Sequence, residues 1–156
     1  MPQANNIITV NLKSGVNSGA SSISGKLEIS SNFQNECEEV LLRYDKGEKN
    51  QARQKLKQLL EKHPNSALVK QLNTMILFKD MKYLEAYEKI NDVLKITPKH
   101  VGLINLQGLI QRQLGLFEEA IESYQNAIEL KPDYADPYNN QAIIYRYFGK
   151  KDMAIQ

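Results

Sequence analysis

The sequence has no tryptophan, a single cysteine and only five prolines among its 156 residues. Because Cys37 has no second cysteine to pair with, packing rather than disulfide bonds must hold the fold, as is usual in a reducing compartment. The first residues also lack the basic start and the long apolar run of a secretory signal. We therefore expect a cytoplasmic protein.

A charge excess of one sign and long apolar runs are missing as well. The 20 Lys and Arg residues nearly balance the 18 Asp and Glu residues, which leaves a net charge of +2. So small a charge, without a continuous basic stripe, does not predict nucleic-acid binding. No stretch approaches the roughly 20 apolar residues that span a membrane, so we expect no membrane insertion. The composition, 42% hydrophobic and 24% charged, is typical of a globular protein with a sizeable core.

The residue patterns of active sites and metal centres are absent from the sequence. His63 and His100 are the only histidines, and neither has a metal-ligand arrangement of Cys, Asp or Glu around it, so we expect both at the surface. The sequence contains no glycine-rich phosphate loop between a strand and a helix, and no nucleophile elbow. We predict a chain that is not an enzyme and has no catalytic residue, metal or cofactor.

An internal repeat is the most informative feature that is present. Pro64, Pro98 and Pro132 are each 34 residues apart. Two further residue types follow the same period, with Met81 in the one slot that lacks glycine: Ala52, Ala86, Ala120 and Ala154, and Gly47, Gly115 and Gly149. Coincident series of this kind indicate a repeat architecture. The predicted units are residues 33–66, 67–100, 101–134 and a truncated 135–156, after a tail at residues 1–32.

Each unit is predicted to contain two amphipathic helices, because apolar residues recur at helical spacing on both sides of the glycine position. Gly115 favours the left-handed geometry of a helix end, and Pro132 prevents the second helix from continuing. Gly108, inside a helix, is expected to let the two helices of the third unit approach closely at Ala120.

The pattern resembles the tetratricopeptide repeat family, whose period is 34 residues. The third unit carries the resemblance at Ile104, Gly108, Gly115, Ala120, Tyr124, Ala127 and Pro132, and the fourth at Tyr138, Ala142, Tyr145, Gly149 and Ala154. The resemblance implies an all-α solenoid, a right-handed superhelix of antiparallel helix pairs, after a mostly irregular N-terminal tail.

The resemblance also implies a concave groove lined by the first helix of each unit. The family's groove positions correspond to Leu72, Met75, Asn105, Leu106, Leu109, Arg112, Asn139, Asn140, Ile143 and Arg146. Amides there would bond a peptide backbone, and the two arginines would meet a carboxylate. The alternative for Leu106, Leu109 and Ile143 is that they are core between the units.

One branch of the family binds chaperone tails through a carboxylate clamp of Lys and Asn. At those positions this sequence has Cys37, Leu41, Leu72, Gly102 and Leu106, which cannot hold a terminal carboxylate. We therefore expect no binding to heat-shock chaperone tails.

The two ends of the chain leave alternatives open. Residues 1–32 are rich in Ser, Asn and Gly, which predicts a flexible tail; the alternative is a hairpin of Ile8-Val10-Leu12 with Leu27-Ile29. The fourth unit has no polar capping helix, so we expect the apolar side chains of Ile143, Ile144, Tyr145 and Phe148 to be partly exposed. Self-association through this unit, or a longer native chain, follows from that exposure.

The predicted function is a protein-interaction scaffold that binds a peptide or helical segment in its groove. Two alternatives are the N-terminal repeat arm of a larger enzyme of sulfotransferase or glycosyltransferase type, and a small chaperone for secreted substrates.

Overall fold

The protein is all-α over the part described by its structure, a computed structural model that describes residues 24–155, with side chains described for residues 32–149. No strand occurs within residues 24–155. The helices are α1 (Ser24–Asp45), α2 (Lys49–Lys62), α3 (Ala67–Lys79), α4 (Tyr83–Ile96), α5 (Val101–Gln113), α6 (Phe117–Leu130) and α7 (Ala135–Ile155). The prediction of an all-α repeat fold is confirmed.

The helices form two layers. Within the first three units the two helices pack against each other, α1 on α2, α3 on α4 and α5 on α6. Each second helix also packs on the next first helix, as α4 does on α5 and α6 on α7. The odd-numbered helices touch one another in sequence, so they make one continuous layer of the array. Contacts restricted to neighbouring elements are the defining property of a solenoid.

The turn inside each of the first three units has the same backbone geometry. Gly47, Met81 and Gly115 have φ angles of 94°, 61° and 80°, in the left-handed region. In the third unit the amide of Leu116 then donates to the carbonyl of Gln111 at 2.8 Å, and the other two units make the equivalent bond. This is a Schellman ending, which glycine adopts without strain. Met81 adopts it against the preference of a residue with a Cβ.

The first helices of the second and third units begin with different caps. The Oγ of Ser66 accepts a hydrogen bond from the amide of Val69 at 3.3 Å. The Nδ1 of His100 does the same for the amide of Leu103 at 3.2 Å. Burial lowers the pKa of His100, which keeps Nδ1 unprotonated and able to accept. The expectation that His100 is simply a surface residue is wrong, because its ring serves as the N-cap of α5.

Gly108 explains the closest approach of α5 and α6. A Cβ at this position would lie 2.7 Å from Cδ1 of Tyr124, and Tyr124 is closed to solvent. The predicted role of Gly108 in close packing is therefore confirmed. The side chain that occupies the space is the ring of Tyr124, one turn of α6 beyond the predicted Ala120.

The N-terminal end of the array differs from the prediction. Helix α1 begins at Ser24, inside the segment predicted as an irregular tail, and it contains Leu27 and Ile29. The hairpin alternative for these two residues is therefore wrong. A helix anchored by its packed C-terminal half extends at the gain of one hydrogen bond per added residue, whereas a lone hairpin has no such support. Residues 1–23, including Ile8-Val10-Leu12, lie outside the described part.

The fourth unit also differs. Ile144, which was expected to be partly exposed, is 1% exposed because it packs in a cluster with Ala120 and Tyr124 of α6. Helix α7 continues through Gly149 to Ile155, so the predicted turn at Gly149 is wrong. In the first three units the turn is held by a second helix of 14 residues packed against the first. The short described segment after Gly149 provides no such helix, and the backbone keeps its helical hydrogen bonds instead.

Candidate peptide-binding surface

Six of the ten residues predicted to line a groove are closed to solvent. They are Leu72, Met75, Asn105, Leu106, Leu109 and Asn140, and each of these residues is at most 1% exposed. They lie on α3, α5 and α7, where successive odd-numbered helices touch. The groove role predicted for these six is therefore wrong in this arrangement. The alternative stated for Leu106 and Leu109, core between the units, describes them correctly.

Asn105 and Asn140 bond to each other. The Nδ2 of Asn140 donates to Oδ1 of Asn105 at 3.0 Å across the contact between α5 and α7. Both residues have an exposed fraction of 0%, so neither amide is available to the backbone of a ligand. A buried amide needs partners inside the protein, and the pair supplies one for the Nδ2 of Asn140 and one for the Oδ1 of Asn105.

The other four predicted residues are at least partly accessible, and they lie on α7 and on its neighbour α5. Asn139, Ile143 and Arg146 follow each other at spacings of four and three residues, which puts them in one stripe along α7. Ile143 is 40% exposed, and Asn139 and Arg146 are also exposed. Arg112 is half-buried in the last turn of α5, the helix that packs beside α7. We call these four residues the α7 surface.

The same repeat position explains why this surface exists. Met75, Leu109 and Ile143 are 34 residues apart, and their exposed fractions are 1%, 1% and 40%. Met75 and Leu109 lie on α3 and α5, each followed by another odd-numbered helix. Among the described residues no further odd-numbered helix follows α7. Ile143 is therefore open where its equivalents are covered.

The guanidinium groups of the α7 surface have no carboxylate partner among the described residues. The ion pairs of residues 32–149 involve other cations, the shortest being Arg43 with Glu39 and Arg53 with Asp80, both at 2.6 Å. The Nη1 of Arg112 is closed to solvent and has no hydrogen-bond partner in this part of the chain. A guanidinium offers five donors in a planar fork, so Arg112 keeps donor capacity that no described residue uses.

Tyr124 lies near enough to Arg112 for the two side chains to interact electrostatically. Burial raises the pKa of Tyr124, and the positive charge of Arg112 opposes that rise. The phenol is therefore neutral at physiological pH. Its hydroxyl, like Nη1 of Arg112, is buried without a partner among the described side chains.

An aromatic cluster borders the α7 surface and was not predicted as part of the site. The ring of Phe117 lies 5.4 Å from that of Phe148 and 6.1 Å from that of Tyr147, measured between centroids. Tyr147 is 52% exposed and stands one turn after Ile143. Its helical spacing from Ile143 is the sequence signal that would have identified it.

The positions of a chaperone-tail clamp offer no charged donor. Leu72 and Leu106 are closed to solvent, and so is Cys37. Burial, with smaller contributions from Glu36 and Glu38, raises the pKa of Cys37 to about 11. A neutral, buried thiol neither binds a carboxylate nor acts as a nucleophile.

The described residues contain neither a metal-ligand cluster nor a membrane-spanning helix. No group of three or more His, Cys, Asp or Glu side chains in this part of the chain is arranged to hold a metal ion. No described helix is long and apolar enough to cross a membrane.

Two family models match the chain. A model described as "TPR repeat" matches residues 108–146, and one described as "Tetratricopeptide repeat" matches residues 40–66. These matches agree with the 34-residue period and with the repeated helix pairs. Residues 40–66 and 108–146 are therefore tetratricopeptide repeats.

Solved structures with the same fold include three of known description. MamA is 21% identical with a TM-score of 0.63, over 80% of this chain and 72% of its own. The first TPR of Spaghetti (RPAP3), bound to the HSP90 peptide SRMEEVD, is 17% identical with a TM-score of 0.66, over 77% of this chain and 95% of its own. The Naa15/Naa10 structure bound to HypK-THB is 23% identical with a TM-score of 0.62, over 73% of this chain and 17% of its own. No curated protein matches the sequence.

Proposed function

We propose that the protein is a non-enzymatic scaffold that binds an acidic peptide segment of a partner protein on the α7 surface. The observation that carries this proposal is the combination of two guanidinium groups that have no carboxylate partner among the described residues, Arg112 and Arg146, with the 40% exposed Ile143. An apolar side chain of the ligand would cover Ile143, and the exposed amide of Asn139 would bond its backbone. Both RPAP3 and Naa15/Naa10 have a similar fold and are described with a bound peptide or protein.

Acidic peptides provide the direct test. We would select 12-residue peptides from a random library against the full chain and measure the affinity of the selected peptides by isothermal titration calorimetry. Replacing Arg112→Gln or Arg146→Gln removes a charge-assisted hydrogen bond and should weaken binding by about tenfold each. Asn139→Ala should weaken it less, because a neutral hydrogen bond is lost.

Lys57→Gln is the matched control for these variants. Lys57 is an exposed cation of α2 that forms no hydrogen bond or ion pair with another described residue, so its loss lowers the net charge equally without touching the α7 surface. Equal weakening by Lys57→Gln would mean that only the net charge attracts the peptide. Unchanged affinity in Arg146→Gln and Asn139→Ala together would refute the assignment of the surface.

We also propose self-association through another face of α7. Tyr138 and Tyr145 are 45% and 50% exposed, whereas their equivalents one repeat earlier, Ile104 and Gln111, are buried where α5 packs on α6. A second copy that covers this face would bury both tyrosines. Light scattering across a range of protein concentrations should then show a dimer, and Tyr138→Ser with Tyr145→Ser should return it to a monomer. A monomer at all concentrations in the unchanged chain contradicts this proposal.

The size of the native polypeptide tests whether the scaffold is a small protein or chaperone, or the repeat arm of a larger enzyme. A band near 17.8 kDa, detected with an antibody against the repeats, would support a small scaffold or a chaperone for secreted substrates. A much larger band would support the repeat arm of a larger enzyme. We place the protein in the cytoplasm as part of the same proposal, because its only cysteine is buried and unpaired.

A further inference from the structure

A cleft with a volume of about 600 Å³ opens between α4 and α6 beside the Pro98 turn. Its walls are the aliphatic side chains of Leu94, Ile104 and Leu130. Ile104 lies deep, with 6% of the residue exposed, and Leu130 stands at the rim with 44% exposed. We call it the Ile104 cleft. It has the size and the apolar walls of a site for a small molecule or for one or two residues of a peptide.

Two amide side chains add polar groups to these walls. Gln107 and Asn126 both line the cleft. The Nε2 of Gln107 donates to Oδ1 of Asn91 at 2.9 Å, which fixes the amide in place. The Oγ of Ser123 lies 2.6 Å from Oε1 of Gln111 and 3.3 Å from Oε1 of Gln107. Because a hydroxyl has a single proton and the bond to Gln111 is shorter, Oε1 of Gln107 keeps the capacity to accept a further hydrogen bond.

The charges around the cleft do not select an ion. Lys99 and Glu129 both line it and have opposite signs. An anion would be repelled by Glu129, and a cation by Lys99. The lining therefore favours a neutral ligand that has an aliphatic group together with hydrogen-bond donors and acceptors. A peptide bond next to a leucine-sized side chain has this chemistry.

The equivalent place one repeat earlier has a second cleft with which the Ile104 cleft can be compared. A smaller cleft of about 350 Å³ lies at the Pro64 turn, with Lys70 at the position of Ile104 and Asp92 at the position of Asn126. Two charges thus replace an aliphatic wall and an amide. The smaller cleft lacks the chemistry that the Ile104 cleft offers to a neutral peptide.

We propose that the Ile104 cleft binds an extended peptide segment, with one leucine-sized side chain between Leu94, Ile104 and Leu130 and the backbone bonded to the amide of Gln107. This site is separate from the α7 surface, and it neither needs nor excludes an acidic ligand there.

The test uses N-acetyl-leucine methylamide as the probe and N-acetyl-alanine methylamide as its control, titrated into the full chain and followed by nuclear magnetic resonance. The leucine probe should give saturable shifts of the Ile104 and Leu130 methyl groups and of the Gln107 side-chain amide, at millimolar concentrations. Residues around Lys70 should shift little. Equal shifts with the alanine probe, equal shifts at both clefts, or no shift up to about 50 mM would overturn the proposal.

Variants exchange the chemistry of the two clefts. Ile104→Lys copies the second unit and should weaken the response at least about tenfold, because the aliphatic wall is lost. Lys70→Ile should create a second responding cleft. If Ile104→Lys loses its helical circular dichroism, Leu130→Lys at the exposed rim makes the same test without touching the core. An unchanged response in the folded variant would refute the site.

Discussion

The second and third units share a backbone but fill it with different side chains. In the third unit Gly108 makes room for the ring of Tyr124. The equivalent pair in the second unit is Thr74 and Ile90, and both are closed to solvent. The third unit thus has a small residue opposite a large one, whereas the second unit has two residues of intermediate size. The comparison teaches that the helix pair depends on the summed volume at this crossing rather than on glycine itself.

The two units differ at their ends as well. The cap is Ser66 in the second unit and His100 in the third, and the turn position is Met81 or Gly115. Neither matched family range covers residues 67–100, yet the second unit forms the same pair of helices. Packing by its neighbours therefore compensates for a weaker local pattern. Four substitutions test this comparison.

The largest effect is expected for Gly108→Thr, which places the second unit's residue in the third. Its Cβ would meet the ring of Tyr124, which is closed to solvent, so the free energy of unfolding should fall by about 3 kcal/mol. Urea unfolding measures the loss. The double variant Gly108→Thr with Tyr124→Ile copies the pair of the second unit and should recover much of it. No recovery would contradict the volume argument.

The next largest effect is expected for Asp80→Ala. This substitution removes a contact that the third unit lacks, because the third unit has Leu114 at the position of Asp80. Asp80 accepts hydrogen bonds from the hydroxyl of Tyr44 at 2.5 Å and from Arg53 at 2.6 Å. The hydrogen bond from Arg53 holds the pKa of Asp80 below its usual range. Without Asp80 the hydroxyl of Tyr44 loses its partner, and we expect about 1.5 kcal/mol of destabilisation in thermal unfolding.

Asp92→Ala is the control for Asp80→Ala. Asp92 pairs with Lys95 at 3.6 Å, and both side chains are more than half exposed. Its loss should change the melting temperature little, because exposed pairs contribute little. Equal effects of the two variants would show that Asp80 acts only as a surface charge.

A smaller, stabilising effect is expected for Met81→Gly. Met81 has a φ of 61°, and its side chain is largely exposed, so the substitution relieves backbone strain and loses little packing. The free energy of unfolding should rise by about 1 kcal/mol. The reverse change in the third unit, Gly115→Met, should lower it by a similar amount. A destabilised Met81→Gly would indicate that the methionine side chain contributes contacts that outweigh the strain.

The smallest expected effect is a pH dependence of stability that the His100 cap has and the Ser66 cap lacks. Burial lowers the pKa of His100 from 6.5, so the bond from Leu103 to its neutral Nδ1 stabilises the fold fully above pH 6.5. That contribution, about 0.5 kcal/mol, is lost as the pH falls through the lowered pKa of the folded state. His100→Ser should remove this part of the acid destabilisation and leave the part caused by carboxylates. Identical pH profiles for both proteins would contradict the cap.

The local structure was largely predictable from the sequence. The 34-residue period located the helix pairs, and the glycine position located the turns of the first and third units. These predictions succeed because a turn with positive φ and a helix with one apolar stripe are decided by residues near in sequence. Gly149 was mispredicted, because a glycine permits a turn but only a packed second helix holds it.

The accessible surface was not predictable in the same way. Periodicity gives Met75, Leu109 and Ile143 the same position in successive units, and a sequence pattern cannot distinguish them. In the structure the first two are covered and the third is open, because α5 and α7 follow in the layer of odd-numbered helices and no further described helix follows α7. The repeat, the helices and most turns follow from residues that are near one another in the sequence. Which face of each helix remains available to a partner depends on the packing of the whole array, because burial is set by the neighbouring helix rather than by the residue.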